Sequence, residues 1–161
     1  MATGTVILSL PPSGFDASAP AGFTVENSLP VLLFDDTTPE GVYWVFRMPQ
    51  DYASGPVLKI IYSMASAVAN NVEFEISLWA ITDGEDGDTE SYDAVNVGTA
   101  PTVPGTAGLI DEYSITLTNA DSLAANDLVC IKMFRDADDA TNDDATGDCE
   151  VRAVSLEYTT S

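Results

Sequence analysis

A chain of 161 residues is one domain long and can take roughly 70% of its unfolded surface out of water, so it needs no staple to hold a core. An apolar fraction of 45% carries folding, while 26 acidic against five basic residues give a net charge of −21, which excludes nucleic acid and an anionic membrane as direct partners. The absence of histidine removes the Ser-His and Cys-His nucleophile pairs and every imidazole zinc site, and two cysteines cannot build a disulfide framework or an iron–sulfur cluster.

In chain order, the start MATGTVILSL lacks the basic region and long apolar stretch of a secretory signal, so synthesis in the cytoplasm is expected. Residues 1–28 are predicted to form a proline-rich arm or edge strand ahead of a sandwich domain over 29–161, because Pro11, Pro12 and Pro20 cannot donate to a central ladder. Within that segment Val6, Ile7, Leu8 and Leu10 are expected to contact a partner.

Period-two alternation then predicts strands at residues 5–9, 30–34, 42–47, 57–64, 72–81, 112–118, 127–135 and 150–158. The expected fold is all-β, an antiparallel two-sheet sandwich of jelly-roll-like type with about eight strands. Residues 67–71, ending in Asn70-Asn71, read as a tight hairpin turn between the fourth and fifth strands. Residues 98–108, with Pro101, Pro104 and three glycines, read as a crossing between the sheets. The one helix-compatible stretch, 118–125, is too short to build on.

Alternation also orients side chains. Val42, Trp44 and Phe46 are expected in the core, with Tyr43, Val45 and Arg47 opposite. Phe74, Ile76, Leu78 and Ala80 form an apolar face, leaving Trp79 on the polar face with Glu73, Glu75 and Ser77. A ring placed there either packs under a loop or contacts a neighbour or a sugar. Were the last two strands a hairpin about residues 140–142, Cys130 and Cys149 would lie several residues out of register, so free thiols are expected.

Thirteen of the 26 acidic residues lie in two inter-strand segments without a basic residue: Asp83, Glu85, Asp86, Asp88, Glu90 and Asp93, then Asp136, Asp138, Asp139, Asp143, Asp144, Asp148 and Glu150. Their plain reading is solvated loops. Calcium is the sharper one, with Asp86 and Asp88, or Asp136 and Asp138, as hard oxygen ligands, although neither loop follows the EF-hand order. No pair of carboxylates is singled out for glycosidase chemistry, so no enzyme activity is expected.

Three stretches, VYWVFRMPQDYASGPVLKIIYSMASA at 42–67, NDLVCIKMFRDADDA at 126–140 and the ending VRAVSLEYTTS, together resemble small uncharacterised virion-associated proteins of tailed bacteriophages. The shared pattern is an aromatic strand, the turn of Pro49, Asp51 and Tyr52, a Gly-led strand and a closing Glu-Tyr-Thr-Thr. The resemblance implies a non-enzymatic structural protein. Its leading form is a capsid decoration or cement protein, a homotrimer bound to the major capsid protein on the outer surface of the virion. The alternative is a fibre or receptor-binding module that recognises host glycans through exposed aromatics such as Trp79.

Overall fold

The structure, a computed structural model, describes residues 1–161. Eleven strands form: β1 (Thr3–Leu8), β2 (Gly14–Phe15), β3 (Gly22–Glu26), β4 (Leu29–Phe34), β5 (Glu40–Arg47), β6 (Tyr52–Met64), β7 (Phe74–Ile81), β8 (Asn96–Val97), β9 (Asp111–Thr116), β10 (Leu128–Arg135) and β11 (Cys149–Thr160). Sheet one has the order β3-β4-β11-β6-β9, with β1 also on β11, and sheet two has the order β2-β5-β10-β7-β8; every ladder is antiparallel. The chain is therefore an all-β two-sheet sandwich. All eight expected strands are present, and the three additional ones, β2, β3 and β8, have two, five and two residues, too short for a periodic signal.

The inner faces meet in one continuous core. Leu58, Ile60, Tyr62 and Met64 from β6 and Val151, Val154, Leu156 and Tyr158 from β11 face Val42, Trp44, Phe74, Ile76, Leu78, Ile131 and Met133 from sheet two. Val151 and Val154 both point inward despite their odd spacing, because the register with β6 shifts between Val151 and Ala153 and restores alternation. Trp44 is in the core as expected, its indole N–H donating to Ser9 O at 2.7 Å. Val6 to Leu8 pair with Leu156 to Val154, while β4 pairs with residues 149–151, so β1 and β4 share one edge of β11. Residues 1–28 thus supply β1, β2 and β3 to both sheets.

Two expected connections differ. Residues 67–71 do not close a hairpin, since β6 and β7 lie in different sheets; Asn70 does adopt the left-handed conformation (φ 75°), but it serves a crossing. The last two strands are likewise no hairpin, because β10 belongs to sheet two and β11 to sheet one. Cys130 and Cys149 are both free and buried, kept apart by this topology rather than by a register offset. Residues 98–108 do cross between sheets, from β8 to β9. The stretch 118–125 is not helical and includes Asp121 and Ser122 in the left-handed region.

The crossing from β10 to β11 is fixed by a buried cation. Arg135, fully buried, forms a two-pronged pair with Asp143, Nη2 to Oδ1 at 2.8 Å and Nε to Oδ2 at 3.0 Å. It also donates to the carbonyls of Phe34, Gly147 and Ala145 at 3.0, 2.9 and 2.7 Å. The second acidic segment is accordingly not a freely solvated loop: one of its carboxylates, Asp143, is an internal fastening.

Candidate functional site: an aromatic cleft on the outer face of sheet two

Register defines the outer face of sheet two row by row: Gly41–Phe134–Glu75, Tyr43–Lys132–Ser77, Val45–Cys130–Trp79 and Arg47–Leu128–Ile81. Three of these rows carry aromatic rings. Gly41 matters here because a Cβ at that position would collide with the Phe134 ring, so the glycine lets the ring lie down on β5. Gly14 does the same for the ring of Tyr43.

Between the rings sits Lys132. Its ammonium lies 4.5 Å from the Phe134 centroid and 5.9 Å from that of Tyr92, and pairs with Asp16 Oδ2 at 2.7 Å. Asp16 is itself fixed, accepting from Ser18 N–H and Ala19 N–H at 3.0 Å each and from the Ser18 hydroxyl at 2.8 Å. Lys132 foremost, then these donors, hold the Asp16 carboxyl far below the usual carboxylate range.

Tyr92 arrives from the loop between β7 and β8. Asp93 N–H donates to Leu78 O at 2.9 Å, and Asp93 Oδ2 accepts from Asp121 N–H at 2.9 Å, which ties this end of the loop to β7 and to the neighbouring turn. The Tyr92 hydroxyl lies 3.5 Å from Cys130 Sγ, over the middle row, and burial raises its pKa. Cys130 is therefore buried although it faces outward, and burial pushes its thiol up.

Glu75, Ser77, Tyr92, Lys132 and Phe134 line a cleft of about 260 Å³. Two aromatic rings, a hydroxyl, a carboxylate and a fixed ammonium thus converge on one shallow surface. The largest depression, about 540 Å³ between residues 81–85 and 125–128, contains no aromatic ring and offers no stacking face.

Trp79 lies on this outer face as alternation requires, half-buried in the row next to the cleft rather than in its lining. Asp86 and Asp88 are exposed, and Asp86 Oδ1 accepts Asp88 N–H at 3.1 Å, an Asx turn that uses one carboxylate internally. Asp136 joins Glu73 and Asp139, one carboxylate oxygen of each lying within 4.8 Å of the others; Asp138 is exposed and outside that group. Leu8 is buried in the core, Val6 and Leu10 are half-buried, and Ile7 points outward with 75% exposure. Ile7, Leu10, Pro30, Ile61 and Ala153 line a groove of about 320 Å³ on the outer face of sheet one.

Alternation had already placed Glu75 and Ser77 on a polar face. Tyr92, Phe134 and Lys132 were missed, because a loop residue and two members of an apolar run assume meaning only once the strand order is known.

No protein-family model matches the chain, and no curated protein matches it. Solved structures do share its fold. A xylan-binding module, CBM15, superposes with a TM-score of 0.53 at 10% identity, covering 99% of each chain. CBM29_1, a family 29 carbohydrate-binding module from Piromyces equi, superposes with a TM-score of 0.50 at 10% identity, covering 99% of this chain and 93% of that one. At this identity the likeness establishes the β-sandwich of jelly-roll-like type.

Proposed function

We propose that this protein is a glycan-binding β-sandwich module that holds a sugar chain against the outer face of sheet two without chemically altering it. The observation that carries the reading is the cleft itself: the Phe134 and Tyr92 rings offer apolar surface to the C–H groups of a pyranose, while Glu75, Ser77 and Lys132 offer partners to its hydroxyls. The comparisons support it, since both fold relatives are described as carbohydrate-binding. The net charge of −21 favours an uncharged glycan over a uronate-rich or sialylated one. The test is affinity electrophoresis against a panel of neutral polysaccharides, xylan included, with Phe134→Ala and Tyr92→Ala as variants and Ile7→Ser as the distant control. Each ring truncation is expected to weaken binding at least about tenfold, or roughly 1.4 kcal/mol, in a protein whose far-ultraviolet circular dichroism shows the fold retained. Binding that survives both truncations overturns the proposal.

A second reading, decoration of a phage head by a homotrimer seated on the major capsid protein at the outer surface of the virion, rests on the sequence resemblance. The groove at Ile7 and Leu10 favours it as an apolar surface for attachment. Co-sedimentation of the protein and of its Ile7→Asp variant with stripped capsids tests it: loss of binding in the variant is expected, and no binding by the parent protein refutes it.

A further inference from the structure

Beyond the end of the β7–β10 ladder the chain brings three carboxylates together. Phe74 and Arg135 are the last paired residues, and Asp136 N–H donates to Glu73 O at 3.1 Å, so Glu73 and Asp136 face each other across the strand ends. A turn then returns Asp139, whose N–H donates to Asp136 O at 3.0 Å. One carboxylate oxygen from each of the three lies within 4.8 Å of the other two. Two oxygens on opposite sides of one calcium ion are separated by about 4.8 Å, twice the usual calcium–oxygen distance.

Glu73 supplies a separate observation. It is only 6% exposed, it points at Asp136 and Asp139, and no N–H or O–H group of the chain donates to its carboxylate. The carboxylate oxygens keep a narrow contact with solvent, yet a side chain so largely buried, facing two further carboxylates with no donor or counter-ion from the chain, is costly. The nearby cations are committed elsewhere, Arg135 to Asp143 and Lys132 to Asp16. Asp139 also accepts Thr141 N–H and Asn142 N–H at Oδ1, at 2.9 and 3.2 Å, and Asn142 Nδ2–H at Oδ2, at 2.8 Å, which fixes its carboxylate but leaves lone-pair capacity for an ion. The donor set is oxygen alone, hard and anionic, which suits calcium rather than zinc or copper.

We propose that Glu73, Asp136 and Asp139 form a calcium site at the end of sheet two, with water completing the coordination. The site stands independently of what the cleft binds. The competing way to discharge the group is a proton held between Glu73 and Asp139, in keeping with burial and the Asp139 and Asp136 charges, which push Glu73 up to about 7.

The experiment is thermal melting of the full chain, stripped with EGTA and then titrated with calcium chloride against sodium chloride at matched ionic strength, with calorimetry for stoichiometry. Calcium at 1 mM is expected to raise the melting temperature by at least about 4 °C beyond sodium, with one ion bound per chain. Asp139→Asn and Glu73→Gln are expected to abolish that increment, whereas Asp86→Asn leaves it intact. Should Glu73→Gln fail to fold, Asp139→Asn carries the test alone. Equal effects of calcium and sodium on the parent protein, or a calcium increment that survives in Asp139→Asn, overturn the proposal. A parent protein that shows no calcium increment, together with a Glu73→Gln variant that melts higher than the parent, identifies the shared proton instead and overturns the proposal.

Discussion

Replacing Arg135 by Met tests the internal fastening most directly. The substitution keeps an unbranched apolar stem but leaves the Asp143 carboxylate, whose side chain is 1% exposed, without a counter-ion. Breaking a buried pair on one side costs about 3–5 kcal/mol, and the carbonyls of Phe34, Ala145 and Gly147 lose their donor as well. For a domain of this size about 1 kcal/mol corresponds to about 2–4 °C, so the melting temperature is expected to fall by about 6–20 °C. The double variant Arg135→Met, Asp143→Asn removes the stranded charge, while the Asn side-chain oxygen can still accept the Glu73 N–H that Asp143 accepts at 2.9 Å. It is expected to recover more than half of the loss, because a buried ion pair exchanged whole for neutral groups is close to neutral. Differential scanning calorimetry of the parent and both variants measures this. A single variant melting within about 3 °C of the parent, or a double variant less stable than the single one, refutes the reasoning.

Asp16→Asn should destabilise the protein near neutrality and progressively less in acid. The Asp16 carboxyl is held below its usual range, so its contribution is complete above about pH 4 and is lost as pH falls through the folded-state value; a melting difference that stays constant from pH 7 to pH 2 contradicts this. A truncation starting at Leu29 removes β1, β2 and β3 and exposes one edge of β11, so it should lose its near-ultraviolet circular dichroism at room temperature. A truncation that stays folded and loses only capsid binding would instead make residues 1–28 a docking arm.

Alternation made most of the sandwich readable. Each of the long strands buries one face, and the pattern of Glu73 to Ala80 states in advance which side Trp79 takes. Which strands neighbour one another was not readable, because a turn sequence such as Asn70-Asn71 encodes left-handed backbone and not whether the next strand returns to the same sheet. That missing link hid the cleft, since Phe134 and Glu75 become neighbours only through the β10–β7 ladder and Tyr92 reaches them from a loop. It hid the carboxylate group for the same reason: Asp136 was singled out from Asp-x-Asp spacing, but its companions are the distant Glu73 and the next-but-two Asp139, not Asp138. Arg135 stands in the sequence only as the end of a strand, and the folded path of residues 136–148 is what encloses it.

The central position of β11 has a consequence for synthesis. This strand, which pairs with β1, β4 and β6, is the last of the eleven to be translated. Until residue 160 has left the ribosome, sheet one consists of a β3–β4 hairpin and a β6–β9 pair with nothing between them, and Leu58, Ile60 and Tyr62 have only part of their wall. Folding therefore waits on contacts of the longest sequence separation, such as Thr3 with Thr159, a topology that slows the search and prolongs the exposure of apolar strands. During that interval the mutual repulsion of the 26 acidic side chains keeps neighbouring nascent chains apart, so the charge that burdens the finished fold protects the unfinished one.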